Sequence, residues 1–110
     1  MKKITLLLLV GALYCCTPKM APAPAASAFT EADVTRGKVF WIDCSVEKLD
    51  AAHTLYTNKC GTCHSLKKPS SEDEAGWKKI VPPMAAKAKL NADEQALILN
   101  YVLTMRESKK

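Results

Sequence analysis

Asn58 to Pro69 reads NKCGTCHSLKKP: two cysteines with two residues between them, and a histidine directly after the second. Three chemistries use such a pair, namely a redox-active dithiol, half of a zinc site, and covalent attachment of haem. The residues around it have to choose among them, and the choice carries the fold with it.

Working outward, SVEKLDAAHTLYTNK (Ser45 to Lys59) opens on a plausible N-cap serine and sets Val46, Leu49, Ala52, Leu55 and Tyr56 on one helical face. This predicts a helix that runs straight into Cys60. Downstream, SSEDEAGWKKIV has Ser71 and Glu74 in capping-box spacing, early acids and later lysines, which predicts a short helix halted by Pro82 and Pro83. NADEQALILNYVLTMRESKK repeats the box with Asn91 and Glu94. Its predicted apolar face is Ala96, Leu97, Leu99, Tyr101, Val102 and Met105. Before all of these, TEADVTRGKVFWID from Thr30 predicts another short helix. No stretch alternates as a strand does and no internal repeat is visible, so the domain reads as all-α.

That reading bears on the cysteine pair. A thioredoxin-type dithiol follows a strand in an α/β domain, whereas a helix precedes this one. A tetrahedral zinc site needs four ligands; Cys60, Cys63 and His64 crowd three together, and Cys44 stands alone. Haem attachment accounts for every element: Cys60 and Cys63 as thioethers to the porphyrin vinyl groups, and His64 as the proximal ligand of the iron. For the iron's second face, Met84 in IVPPMAAKAK follows the proline pair, which is expected to turn the chain back and offer its sulfur. The competing reading of Met84 is a gap-filling core methionine. Met105 reads as core and Met20 as part of a linker.

The chain begins MKKITLLLLV, two lysines and an apolar run too short to span a bilayer, which reads as an export leader. A cysteine where a small-residue cleavage site belongs resembles a lipoprotein signal, with Cys16 the lipidated residue, Cys15 the alternative, and incidental cysteines in an ordinary leader the other reading. The domain plan is then a signal peptide over 1–15, a lipidated Pro/Ala-rich tether over 16–29 and a haem domain over 30–110. The leader takes two lysines with it, so the formal charge of +5 falls by two. A mildly basic chain without a basic cluster interleaved with aromatics favours acidic protein partners and gives no support to nucleic-acid binding.

With Cys60-Gly61-Thr62-Cys63-His64, the preceding LYTNKC, a methionine after two prolines, and ILNYV in the last helix, the chain resembles small class I cytochromes c over about Val46 to Met105. The resemblance implies cytochrome c-like helices wrapped around one covalently bound haem c, with the first and last helices crossing near Ala52, Tyr56 and Tyr101. It further implies that Pro69 offers its carbonyl to the ring N–H of His64, and that Trp77 lies near a haem propionate; a turn proline and a core tryptophan are the plainer readings. By the same resemblance the protein is expected to be a monomeric one-electron carrier, not an enzyme, ligated by His64 and Met84. It would sit on the periplasmic side of a bacterial membrane through its lipid anchor. Thr17 after Cys16 favours the outer membrane. Redox proteins with acidic docking surfaces would meet Lys67, Lys68, Lys78, Lys79, Lys87 and Lys89, unless these are merely solvated. A haem-based sensor with an open or labile sixth site is the alternative function. His53 is expected to face solvent, and Cys44 to be buried against the first helix.

Overall fold

The helices assemble around the last of them. The computed structural model describes residues 27–107, in which the elements are α1 (Glu31–Gly37), α2 (Val46–Leu55), α3 (Glu74–Lys87) and α4 (Ala92–Met105). Among the described residues there is no strand, as the all-α reading expects, and no helix is long and apolar enough to cross a membrane. The leader, Cys15, Cys16, Met20 and most of the tether lie outside the described residues.

Local chemistry starts each helix. Ser45 caps α2 by accepting the Lys48 N–H at 3.2 Å, and Asn91 and Glu94 form the reciprocal capping box of α4 at 2.9 and 3.0 Å. At α1, the Asp33 carboxylate accepts both the N–H and the hydroxyl of Thr30. These bonds and the Arg36 guanidinium beside it outweigh its burial and hold the Asp33 carboxyl below the usual carboxylate range.

α4 packs against α1, α2 and α3, and its central place corrects its predicted face. Ile98, Tyr101, Val102, Leu103 and Thr104 are the buried residues; Leu97, Leu99 and Met105 are partly buried, and Ala96 is exposed. A helix with neighbours on three sides buries more of its circumference than one stripe. Arg36 Nε, donating to the Thr104 carbonyl at 3.0 Å, ties α1 across it. α2 packs on α4 as well, and its Leu49 and Ala52 are fully buried.

α3 departs from prediction at both ends. Its N-cap is Asp73, not Ser71, which accepts the Gly76 N–H at 2.6 Å. Pro82 and Pro83 do not halt it; the helix continues to Lys87. An interior proline deprives the carbonyl four residues earlier of its donor, here Lys78 and Lys79. Both lysines and both prolines are exposed, so water can satisfy those carbonyls. On the opposite side Trp77, Val81 and Ala85 are buried, and that burial overrides the local preference.

α3 is closed off by Lys89, two residues past its end, whose φ of 57° is left-handed. Lys89 N–H bonds to Ala86 O at 3.2 Å and Leu90 N–H to Ala85 O at 2.9 Å, the paired bonds of a Schellman cap. Glycine is the residue that adopts this conformation without steric penalty. Lys89→Gly should therefore raise stability by about 1 kcal/mol. In urea unfolding this reads as a higher midpoint at an unchanged m-value.

Candidate functional site

α2 does not stop cleanly before the cysteine pair. It passes into a π-helical turn, Tyr56–Cys60, and Gly61 closes that turn at φ −84° and ψ −4°. Single π turns recur at functional sites because they shift side chains off the regular helical register. A Cβ on Gly61 would lie 2.7 Å from the backbone oxygen of Thr57, so this turn requires glycine between the two cysteines for space, not for handedness.

From Gly61 to Lys68 every residue is exposed. Two buried aromatic side chains secure this loop. Tyr56 donates its hydroxyl to the Lys67 carbonyl, and Trp77 donates Nε1–H to the Pro69 carbonyl at 2.8 Å. The two rings meet edge to face at 6.4 Å, and Tyr56 also contacts Tyr101 of α4 at 5.6 Å. Burial, reinforced by Cys60 and Tyr101 nearby, pushes the Tyr56 phenol far above its ordinary value, so its hydroxyl remains a donor. Lys67 and Glu72 add an ion pair at 2.8 Å across the loop's return.

The held loop closes over a cleft lined chiefly by apolar side chains, the character of small-molecule and cofactor sites. Cys60 and His64 enter from the π turn and loop, Trp77, Ile80, Val81, Met84 and Ala85 from α3, and Ile98 from α4. An adjoining hollow shares Cys60, His64 and Met84 and adds Cys63, Lys59 and Lys87. Thus Cys60, His64 and Met84, spread over twenty-five positions of the sequence, border both the cleft and the hollow, and Cys63 borders the hollow.

Cys60 and Cys63 are unpaired thiols, half-buried and exposed respectively. Burial pushes the Cys60 thiol up, the reverse of the lowered value that activates a redox dithiol. Among the described residues no three His, Cys, Asp or Glu side chains converge as a metal site. The sulfur and imidazole groups lining the cleft are the Cys60 thiol, the His64 ring and the Met84 thioether, and a thioether lies outside the oxygen, thiolate and imidazole donors that zinc takes. The His64 Nδ1 lies 2.8 Å from the Ser65 carbonyl.

Some expected placements differ and others hold. Met84 sits within α3, not after a turn, and reaches the cleft on the face it shares with Trp77 and Val81. Pro69 gives its carbonyl to Trp77 while His64 takes that of Ser65. Trp77 is both core, at 2% exposure, and cleft wall. Cys16 lies outside the described residues. His53 is exposed, its ring edge-on to Phe29 at 5.7 Å. Cys44 is buried against α1, where a side chain on Gly37 would collide with its sulfur. Ile80, Ala85, Leu90 and Ile98 are wall residues that sequence reasoning did not select; the spacing of Trp77, Val81 and Met84 along one helix face was the available signal, hidden by treating the prolines as a stop.

Comparison of the chain with family models, curated proteins and solved structures finds no match.

Tyr56→Phe removes one bond holding the loop while keeping the ring. It should cost about 1 kcal/mol of stability and speed tryptic cleavage after Lys67 in the folded protein, whereas an unchanged cleavage rate would show that the loop is held by other contacts.

Proposed function

We propose that the chain is a monohaem c-type cytochrome that carries one electron at a time, with haem c bound through Cys60 and Cys63 and its iron ligated by His64 and Met84. The observation that carries this reading is that the two thiols, the imidazole and the thioether line one mainly apolar hollow, three of them also lining the adjoining apolar cleft. The fit is chemical as well as spatial. Two free thiols are what thioether formation consumes, an apolar wall suits a porphyrin face, and imidazole with thioether is a ligand pair that holds haem iron.

Bound there, the haem would supply the one-electron couple. The chain's own task is positioning and exclusion. Tyr56 and Trp77 fix the loop from which Cys63 and His64 project. Trp77, Val81, Ala85 and Ile98, each at most 4% exposed, form a rigid wall that keeps water from the cleft's inner side. Met84 projects from a helix, so its place is set by backbone geometry and not by a mobile loop. A thioether ligand favours the reduced iron and raises its potential.

Charge at the cleft's mouth supports an acidic redox partner. Lys59 and Lys87 border the hollow beside Cys63, and neither takes part in an ion pair among the described residues; Lys67 and Lys78 do, with Glu72 and Glu74. Unpaired cations steer an oppositely charged partner, and salt weakens the effect. The lipid-anchor reading of Cys16 places this encounter at the periplasmic face of a membrane.

The test is expression in a host that matures c-type haem, with optical spectra of both oxidation states. Haem that stays with the chain through acid extraction, and is lost in Cys60→Ala/Cys63→Ala, is the expected result. A low-spin ferric spectrum with a weak methionine-to-iron charge-transfer band should accompany it, and Met84→Ala should abolish that band and lower the potential. Failure to acquire haem would overturn the proposal. A high-spin ferric spectrum that shifts with cyanide would replace the electron carrier by a ligand-binding haem module.

A further inference from the structure

Val39 and Ile42 are 79% and 90% exposed, more than any other large apolar side chain among the described residues. They occupy the connection from α1 to α2, and that connection is well folded. Phe40 and Trp41 both donate their N–H to the Gly37 carbonyl, at 2.9 and 3.0 Å, and Cys44 donates to Trp41 O at 3.0 Å. Trp41 and Cys44 point into the core at 7% and 5% exposure, with Phe40 packed partly against it. Residues 41 and 44 therefore anchor the turn while 39 and 42 are held outward. Asp43 and Lys48 neutralise each other, and Lys38 makes no ion pair. The tip is convex, aliphatic and edged by one cation, and none of its residues lines the cleft.

The geometry points to a membrane-docking tip: Val39 and Ile42 insert at the boundary between headgroups and acyl chains of the bilayer that anchors the chain. The inference rests on the lipid-anchor reading of Cys16. A protein partner fits poorly, because stable interfaces bury about 1,200–2,000 Å² in total, far more than two side chains on a convex turn provide. A bilayer needs no complementary shape, and aliphatic knobs with a neighbouring lysine suit its interface. The linking chain supplies the rest. Even extended at about 3.1 Å per residue, Thr17 to Phe29 keeps α1 within roughly 40 Å of a lipid on Cys16, so docking becomes an intramolecular second contact for which modest affinity suffices.

Every buried residue described lies between Val34 and Thr104, so a chain exported on an ordinary leader and begun at Thr17 keeps the whole core without the lipid. Its sedimentation with phosphatidylethanolamine/phosphatidylglycerol vesicles at millimolar lipid isolates the tip. Val39→Ser and Ile42→Ser should each lower the partition coefficient roughly tenfold, at low and high salt alike, with the unfolding midpoint unchanged. A partition coefficient that ignores both substitutions would overturn the inference, as would self-association of the chain that they abolish, since the tip would then seat a second copy. Mass spectrometry of the full chain reads the anchor independently: a Cys16 without acyl mass removes the anchor, while the vesicle result still decides whether the tip binds lipid.

Discussion

Two hydrogen bonds from buried rings hold the part of the molecule that carries its chemistry. The loop over Gly61–Lys68 has no regular structure and no buried residue, so no packing within it fixes Cys63 or His64. Tyr56 and Trp77 reach out from the core to its returning strand of chain, through a hydroxyl to Lys67 O and an indole N–H to Pro69 O. Each ring is at most 4% exposed, and each satisfies its polar atom on the loop, as buried tyrosine and tryptophan generally must. Core packing and site geometry are thereby one problem: whatever loosens the contact of Tyr56 with Trp77 and Tyr101 also frees the loop.

Much of this was legible from residues alone, and the parts that were not share a physical cause. Caps are local, so Ser45 and the Asn91–Glu94 box were read correctly and the structure bears them out. The face of α2 was legible because α2 buries a single stripe with Leu49, Ala52 and Tyr56. α4 was harder, since its buried set depends on three neighbours whose placement no local pattern encodes; Ile98 and Leu103 were overlooked for that reason. At the site, the motif announced Cys60, Cys63 and His64, and Met84 was selected for its chemistry. Its position within a helix, and the wall supplied by Ile80, Ala85 and Leu90, depended on α3 surviving its prolines. The exchange of carbonyl partners between His64 and Trp77 was invisible, because it turns on which of two nearby donors reaches Pro69.

The proline pair is the point where local preference and tertiary structure disagree most, and the disagreement falls next to Met84. Two consecutive prolines inside a helix sacrifice two backbone hydrogen bonds and strain the residue before each ring. Here the two carbonyls left without a donor belong to the exposed Lys78 and Lys79, while Val81 and Ala85, on either side of the pair, are buried at 4% and 3%. The cost is confined to the solvent side and the gain to the core side. Proline also restricts the unfolded chain, which lowers the entropy lost on folding wherever its fixed φ matches the native backbone. A helix whose φ is fixed at two positions directly before Met84 therefore delivers that sulfur from a stiff support. A loop methionine, as the sequence alone suggests, would have to be ordered by its ligand. On this chain the ordering is already present in α3, and it is held at its far end by the left-handed Lys89 cap that turns Leu90 into the same cleft.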